Sequence, residues 1–194
     1  MTKQEVYNNI RYNENLVSQY QNTIYRLRNN INSLNSQISQ LNAQISQLRK
    51  RINDKKTQIS ELEQLKKKYS ALQNKFASEQ AQRVSRFTRN FSQGLKVSFI
   101  KAYITGMKDL LSGTEYRRAY NGLTTAIDTI TKKINAIQRE VESLQKEVNN
   151  NQRNIDSKQG SINSYRAQMD KTNESLAYRR QRIVYWKNQL KYAT

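Results

Sequence analysis

Cysteine and histidine are both absent from the 194 residues. With them go the thiol nucleophile, the imidazole base and the usual ligands of zinc. What is left to do chemistry is 34 lysines and arginines, 15 acids and 12 tyrosines. The acids are scattered, no glycine-rich loop is present to cradle a phosphate, and no serine stands beside a base. A catalytic site needs titratable groups that converge. The sequence therefore predicts a protein that is not an enzyme, with no metal and no cofactor.

The chemistry on offer is recognition by charge and by aromatic surface. A formal net charge of +19 favours acidic partners: an acidic protein, a nucleic acid or an anionic surface. The densest candidate is the middle of the chain. There Arg83, Arg86, Arg89, Lys96 and Lys101 interleave with Phe87, Phe91, Phe99, Tyr103, Tyr116 and Tyr120, with Gly94, Met107 and Leu110 among them. Such a surface would dock an acidic helical partner on aromatic anchors. The same aromatics would equally fill a small helical bundle. Trp186, the one tryptophan, lies in the basic run from Tyr178 to Trp186 and is a second candidate contact. The runs Arg49-Lys50-Arg51, Lys55-Lys56 and Lys66-Lys67-Lys68 would track phosphates if the partner were nucleic acid, but on a long helix they read first as solvated faces. Leu95 to Leu111 is a basic amphipathic stretch, but Gly106 and a weakly charged polar face argue against a membrane partner.

These side chains need long helices to carry them. Only 36% of residues are apolar and proline is absent, so the core must be thin and helices can run unbroken. Ile10, Val17, Ile24, Ile31, Ile38, Ile45, Ile52 and Ile59 recur every seven residues. A second row, Val6, Tyr20, Leu27, Leu34, Leu41, Leu48 and Leu62, completes an a/d seam broken at d by Asn13 and Lys55. Thr2 and Glu5 have the spacing of a capping box, placing the helix start near Lys3. A second arm repeats the pattern from Ile127 to Leu190, but its d row turns polar beyond about residue 150 through Asn151, Lys158, Thr172 and Arg179.

Between the arms the pattern suggests a stutter or stammer near Leu62–Leu65, with the seam resuming through Tyr69, Leu72 and Phe76. Asn90-Phe91-Ser92-Gln93-Gly94 reads as a turn, and Ser112 with Glu115 as the cap of a following helix. The expected organisation is an N-terminal coiled-coil arm over 1–66, a central helical turn module over 67–123 and a C-terminal coiled-coil arm over 124–194. The arms match in length about Gly94, so that Leu62 would meet Ile134 and Val6 would meet Leu190. The fold class is thus all-α: a long antiparallel coiled-coil hairpin with a short central helical module. A parallel homodimer is the competing arrangement, since isoleucine at a with leucine at d suits it too.

Ser92-Gln93-Gly94 before Phe99, and Leu111-Ser112-Gly113 before Tyr116 and Tyr120, resemble the Trp-x-Gly turn of small helical-hairpin proteins of the WXG class of type VII secretion, without its tryptophan. The flanks Ile59–Tyr69 and Ile127–Leu144 resemble YwqH-like proteins associated with LXG-type toxins of Gram-positive bacteria. The resemblance spans roughly residues 20–150. It implies a non-enzymatic adaptor or targeting chaperone, whose partner is the helical domain of such a toxin or a small helical co-partner. It also implies a bacterial cytoplasmic location, or export beside that partner, and the N-terminus has no apolar signal-peptide core. The alternatives are a basic coiled coil that binds nucleic acid or an anionic surface, and a structural rod that associates with itself.

Overall fold

The computed structural model describes residues 1–92, 102–103, 105–107 and 113–194. Among these residues there is no strand. Helix α1 runs Lys3–Ser92, helix α2 runs Thr114–Gln189, and a single 3-10 turn follows at Leu190–Tyr192. The observed class is the expected one, all-α, with α1 and α2 paired antiparallel.

Both helix starts follow from local chemistry. Thr2 Oγ1 accepts from the Glu5 backbone N–H at 3.3 Å, and Glu5 Oε2 accepts from the Thr2 N–H at 2.8 Å. This is the reciprocal capping box the sequence predicts. At α2 the capping residue is Gly113, whose carbonyl accepts from the Arg117 N–H at 3.1 Å. Glu115 pairs instead with Arg118 at 3.3 Å, and Ser112, the expected cap, lies outside the described residues. Threonines inside the helices share carbonyl acceptors with the backbone N–H groups. Thr23, Thr57, Thr125, Thr129 and Thr172 each donate to the carbonyl four residues back.

The chain divides into two units, each a pair of helix segments. One joins Met1–Leu48 to Lys146–Thr194. Its core is the heptad seam itself: Val6, Ile10, Ile24, Leu27, Ile31, Ile45 and Leu48 from α1 against Val148, Ile162 and Leu176 from α2. Gln37 contacts Lys158 and Gln44 contacts Asn151, so a step of one heptad along α1 is matched by one heptad back along α2. The other unit is Arg49–Gln145, with Ile52, Ile134, Ile137 and Leu144 buried. Its facing pairs, Lys55 with Glu140 and Gln73 with Thr124, run antiparallel in the same way.

Two expectations need correction. The seam does not slip at Leu62–Leu65. Leu62, Lys66, Tyr69, Gln73, Phe76 and Gln80 are half-buried in turn, continuing the a and d rows without an inserted residue, while Leu65 and Leu72 are 40% and 54% exposed. Lys66, Gln73 and Gln80 hold a positions, where their long stems line the contact; Gln73 Nε2 donates to Thr124 Oγ1 at 2.6 Å, whereas the Nε2 of Gln80 is buried without a hydrogen-bond partner. The turn predicted at Asn90–Gly94 also begins too early, since α1 is helical through Ser92. Without proline or glycine before Gly94, nothing stops the helix at Asn90. Gln93 and Gly94 lie outside the described residues.

The uninterrupted heptad separates leucines by their position. Ile45→Ala and Ile137→Ala should each lower unfolding free energy by about 2–5 kcal/mol, whereas Leu72→Ala should change it by no more than about 0.5 kcal/mol. Urea unfolding followed by circular dichroism measures all three. A Leu72→Ala loss as large as that of Ile137→Ala would restore the stutter.

Candidate partner-binding surfaces

The polar residues of the seam decide which surfaces are free to meet a partner. Asn13 is only 3% exposed. Its Nδ2 donates to the Asn9 carbonyl at 2.7 Å, and its Oδ1 accepts from Arg179 Nη1 at 3.3 Å. The Arg179 guanidinium lies 5.9 Å from the Tyr12 ring centre and 5.3 Å from that of Tyr178, within cation–π range of both. Lys158 Nζ donates to Gln37 Oε1 at 2.6 Å, and Asn151 Nδ2 to Gln44 Oε1 at 3.5 Å. The polar d row beyond residue 150 therefore faces α1 of its own chain. Where it does so, Leu34, Ile38 and Leu41 are only half-buried, the cost of putting Asn151 and Lys158 opposite them.

Ion pairs flank the seam. Lys55, the second interruption of the first d row, meets Glu140 at 2.6 Å, and Lys187 meets Glu14 at 3.6 Å. The Glu140 carboxyl is held below its ordinary pKa, first by the hydrogen bond from Lys55 and then by the charge of that same lysine, with Lys133 and Arg51 adding to it. A depressed carboxylate pKa stabilises the fold above the ordinary value, and that contribution disappears as pH falls through the lowered one. Because the pair is solvent-exposed, its contribution is small.

The central candidates separate into two groups. Arg83, Arg86 and Arg89 are exposed on α1, one turn apart, and Phe87 between them is half-buried. Tyr103 is half exposed, and Met107 is half-buried. Tyr116 and Tyr120 belong to the structural group: Tyr116 stacks on Phe76 with ring centres 5.0 Å apart, and Tyr120 stacks on Tyr116 at 6.0 Å. These contacts join α1 to the first turns of α2. Gly94, Lys96, Phe99, Lys101 and Leu110, and the side chain of Phe91, lie outside the described residues.

Trp186 sits at a half-buried d position, with Tyr185 edge-on to it at 5.1 Å and Arg182 over both rings at 5.0 and 5.1 Å. Its Nε1 is buried without a hydrogen-bond partner. Two features carry no local sequence signal. Asn13 and Arg179 were each visible as breaks in a d row, but nothing local pairs residues so distant. Leu65 and Leu72 looked like seam residues until the register was known.

Among the described residues, no group of three or more acids gathers to hold a metal ion, and no helix is long and apolar enough to cross a membrane. No protein family, curated protein or solved structure matches the chain.

Removing one side of the buried polar pair strands the other. Asn13→Ala should cost about 1–3 kcal/mol, the penalty for a buried donor left unpaired. Asn13→Leu combined with Arg179→Leu should recover most of that loss, since an apolar pair of similar volume tolerates burial. Thermal unfolding of Asn13→Leu, Arg179→Leu and the double variant forms the thermodynamic cycle that checks this.

Proposed function

We propose that the chain is a non-enzymatic helical adaptor that binds an acidic helical protein. In keeping with the resemblance of its flanks to YwqH-like proteins, that protein is the helical domain of an LXG-type toxin of a type VII secretion system. The observation that carries this reading is the division of labour between polar residues. Asn13, Asn151, Lys158 and Arg179 spend their hydrogen bonds across the seam, whereas Arg83 and Arg86 are exposed one turn apart beside half-buried Phe87. Cations on the outer face attract an acidic partner and speed encounter, and apolar contacts then supply affinity. The absence of cysteine and histidine from the sequence supports binding rather than catalysis.

Co-expression with each protein encoded beside it tests the reading, which predicts an acidic helical partner among them. The pair should co-elute at physiological salt, and Arg83→Glu with Arg86→Glu should slow association on the order of tenfold at low salt. Failure to bind any encoded neighbour, together with DNA binding that collapses between low and physiological salt, would replace the adaptor with a nucleic-acid-binding coil.

A further inference from the structure

The straight heptad leaves an apolar stripe on the unit formed by Arg49–Gln145. Leu65 and Leu72 both occupy the position just before a, seven residues apart, so they share one face of α1. Leu65 also lines a groove of about 370 Å³ between the two helices, with Leu62 and Ile137 forming its floor and Gln58, Glu61 and Lys133 its rim. Lys68 stands between the two leucines on the helix surface, three residues beyond one and four before the other, and both it and Lys133 are exposed. Lys75 extends the basic edge past Leu72 and is loosely paired with Glu79 at 3.9 Å.

Among the described residues of α1 and α2 in this unit, Leu65 and Leu72 are the exposed large apolar side chains, and two so placed mark a place where something packs. The charges around them select what. This unit carries 20 basic residues against 9 acids, a net of 20 − 9 = +11 within residues 49–145. A second copy would bring the same excess against itself and be repelled. An amphipathic helix with apolar residues at i, i+3, i+4 and i+7 and acids beside them satisfies both features. Its apolar row would continue the floor made by Leu62 and Ile137, and its acids would meet Lys68 and Lys133.

We propose that Leu65 and Leu72, with the groove beside them, are the docking site for an acidic amphipathic helix of another protein, which adds a third helix to the pair. The site rests on the adaptor reading for the chemistry of its partner, but places the contact on the shaft of α1 rather than at Arg83 and Arg86.

The probe is a fluorescein-labelled peptide about three heptads long, sufficient to be helical, with leucine at a and d and glutamate elsewhere. Anisotropy is followed at physiological salt, where long-range attraction is screened. The full chain should bind this peptide more tightly than a scrambled peptide of identical composition. Leu65→Gln with Leu72→Gln should weaken binding at least tenfold with an unchanged melting curve, and Arg83→Glu with Arg86→Glu should retain it. Lys68→Glu with Lys133→Glu should likewise weaken binding of the acidic peptide at least tenfold. Equal binding of the scrambled peptide, or full binding by the leucine variant, overturns the site. If only the arginine variant loses binding, the site falls and the adaptor reading stands. If the unaltered chain binds neither peptide, both fall. A reversible dimer abolished by the leucine variant would make a second copy the occupant, and overturns the proposal as well.

Discussion

A pair of helices meets along a single line, so every residue on that line must exclude water or find a partner across it. Among the described residues nothing else is deep enough to compensate for a failure there. The two units meet this constraint in opposite ways. In the unit built from both ends of the chain, α1 supplies mainly isoleucine and leucine with Asn13 among them, while α2 sets Asn151, Lys158 and Arg179 between Val148, Ile162 and Leu176. In the other unit, α2 brings Ile130, Ile134 and Ile137, and α1 brings Lys66, Gln73 and Gln80. Polar seam residues are met across the contact by polar side chains, Asn151 by Gln44, Lys158 by Gln37, Arg179 by Asn13 and Gln73 by Thr124.

The same residues fix which heptad meets which. A regular isoleucine and leucine ladder can slide by seven residues with little loss of apolar contact. Sliding α2 by one heptad would set Arg179 against Val6 or Tyr20 instead of Asn13, leaving a half-buried cation without its acceptor. Lys158 would likewise leave Gln37, and Lys55 would leave Glu140. Register is therefore set by polar residues and stability by apolar ones. The functional consequence is that cations not engaged in the seam are turned outward, onto faces available to another chain.

Much of this was legible from spacing alone. Isoleucines seven apart, the Thr2–Glu5 cap and the antiparallel matching of the arms are local or periodic signals, and helix geometry translates them directly. The polar d row was equally visible, but its destination was not, because Gln37 and Gln44 are unremarkable surface types until α2 lies beside them. The stutter arose from trusting residue type over period: Leu65 and Leu72 look like core, and Lys66 and Gln73 do not. Burial reversed both assignments. Of the central candidates, Tyr116 and Tyr120 are taken up by stacking onto Phe76, a contact that depends on two helices and has no sequence signature. Arg83 and Arg86 kept the exposure their charge implied.

Antiparallel pairing within one chain is the claim on which the rest stands, and the absence of cysteine makes it directly testable. Gln44→Cys combined with Asn151→Cys places two thiols at a facing pair of the seam, and a short bismaleimide reagent is then added at micromolar protein. Intrachain pairing predicts a cross-linked product of monomeric mass, with the bridge between residues 44 and 151 located by peptide mass spectrometry, and no cross-linking when either cysteine stands alone. A product of twice the mass, formed as efficiently by the single Gln44→Cys variant, would mean that parallel copies pair through α1, and would contradict the fold described above.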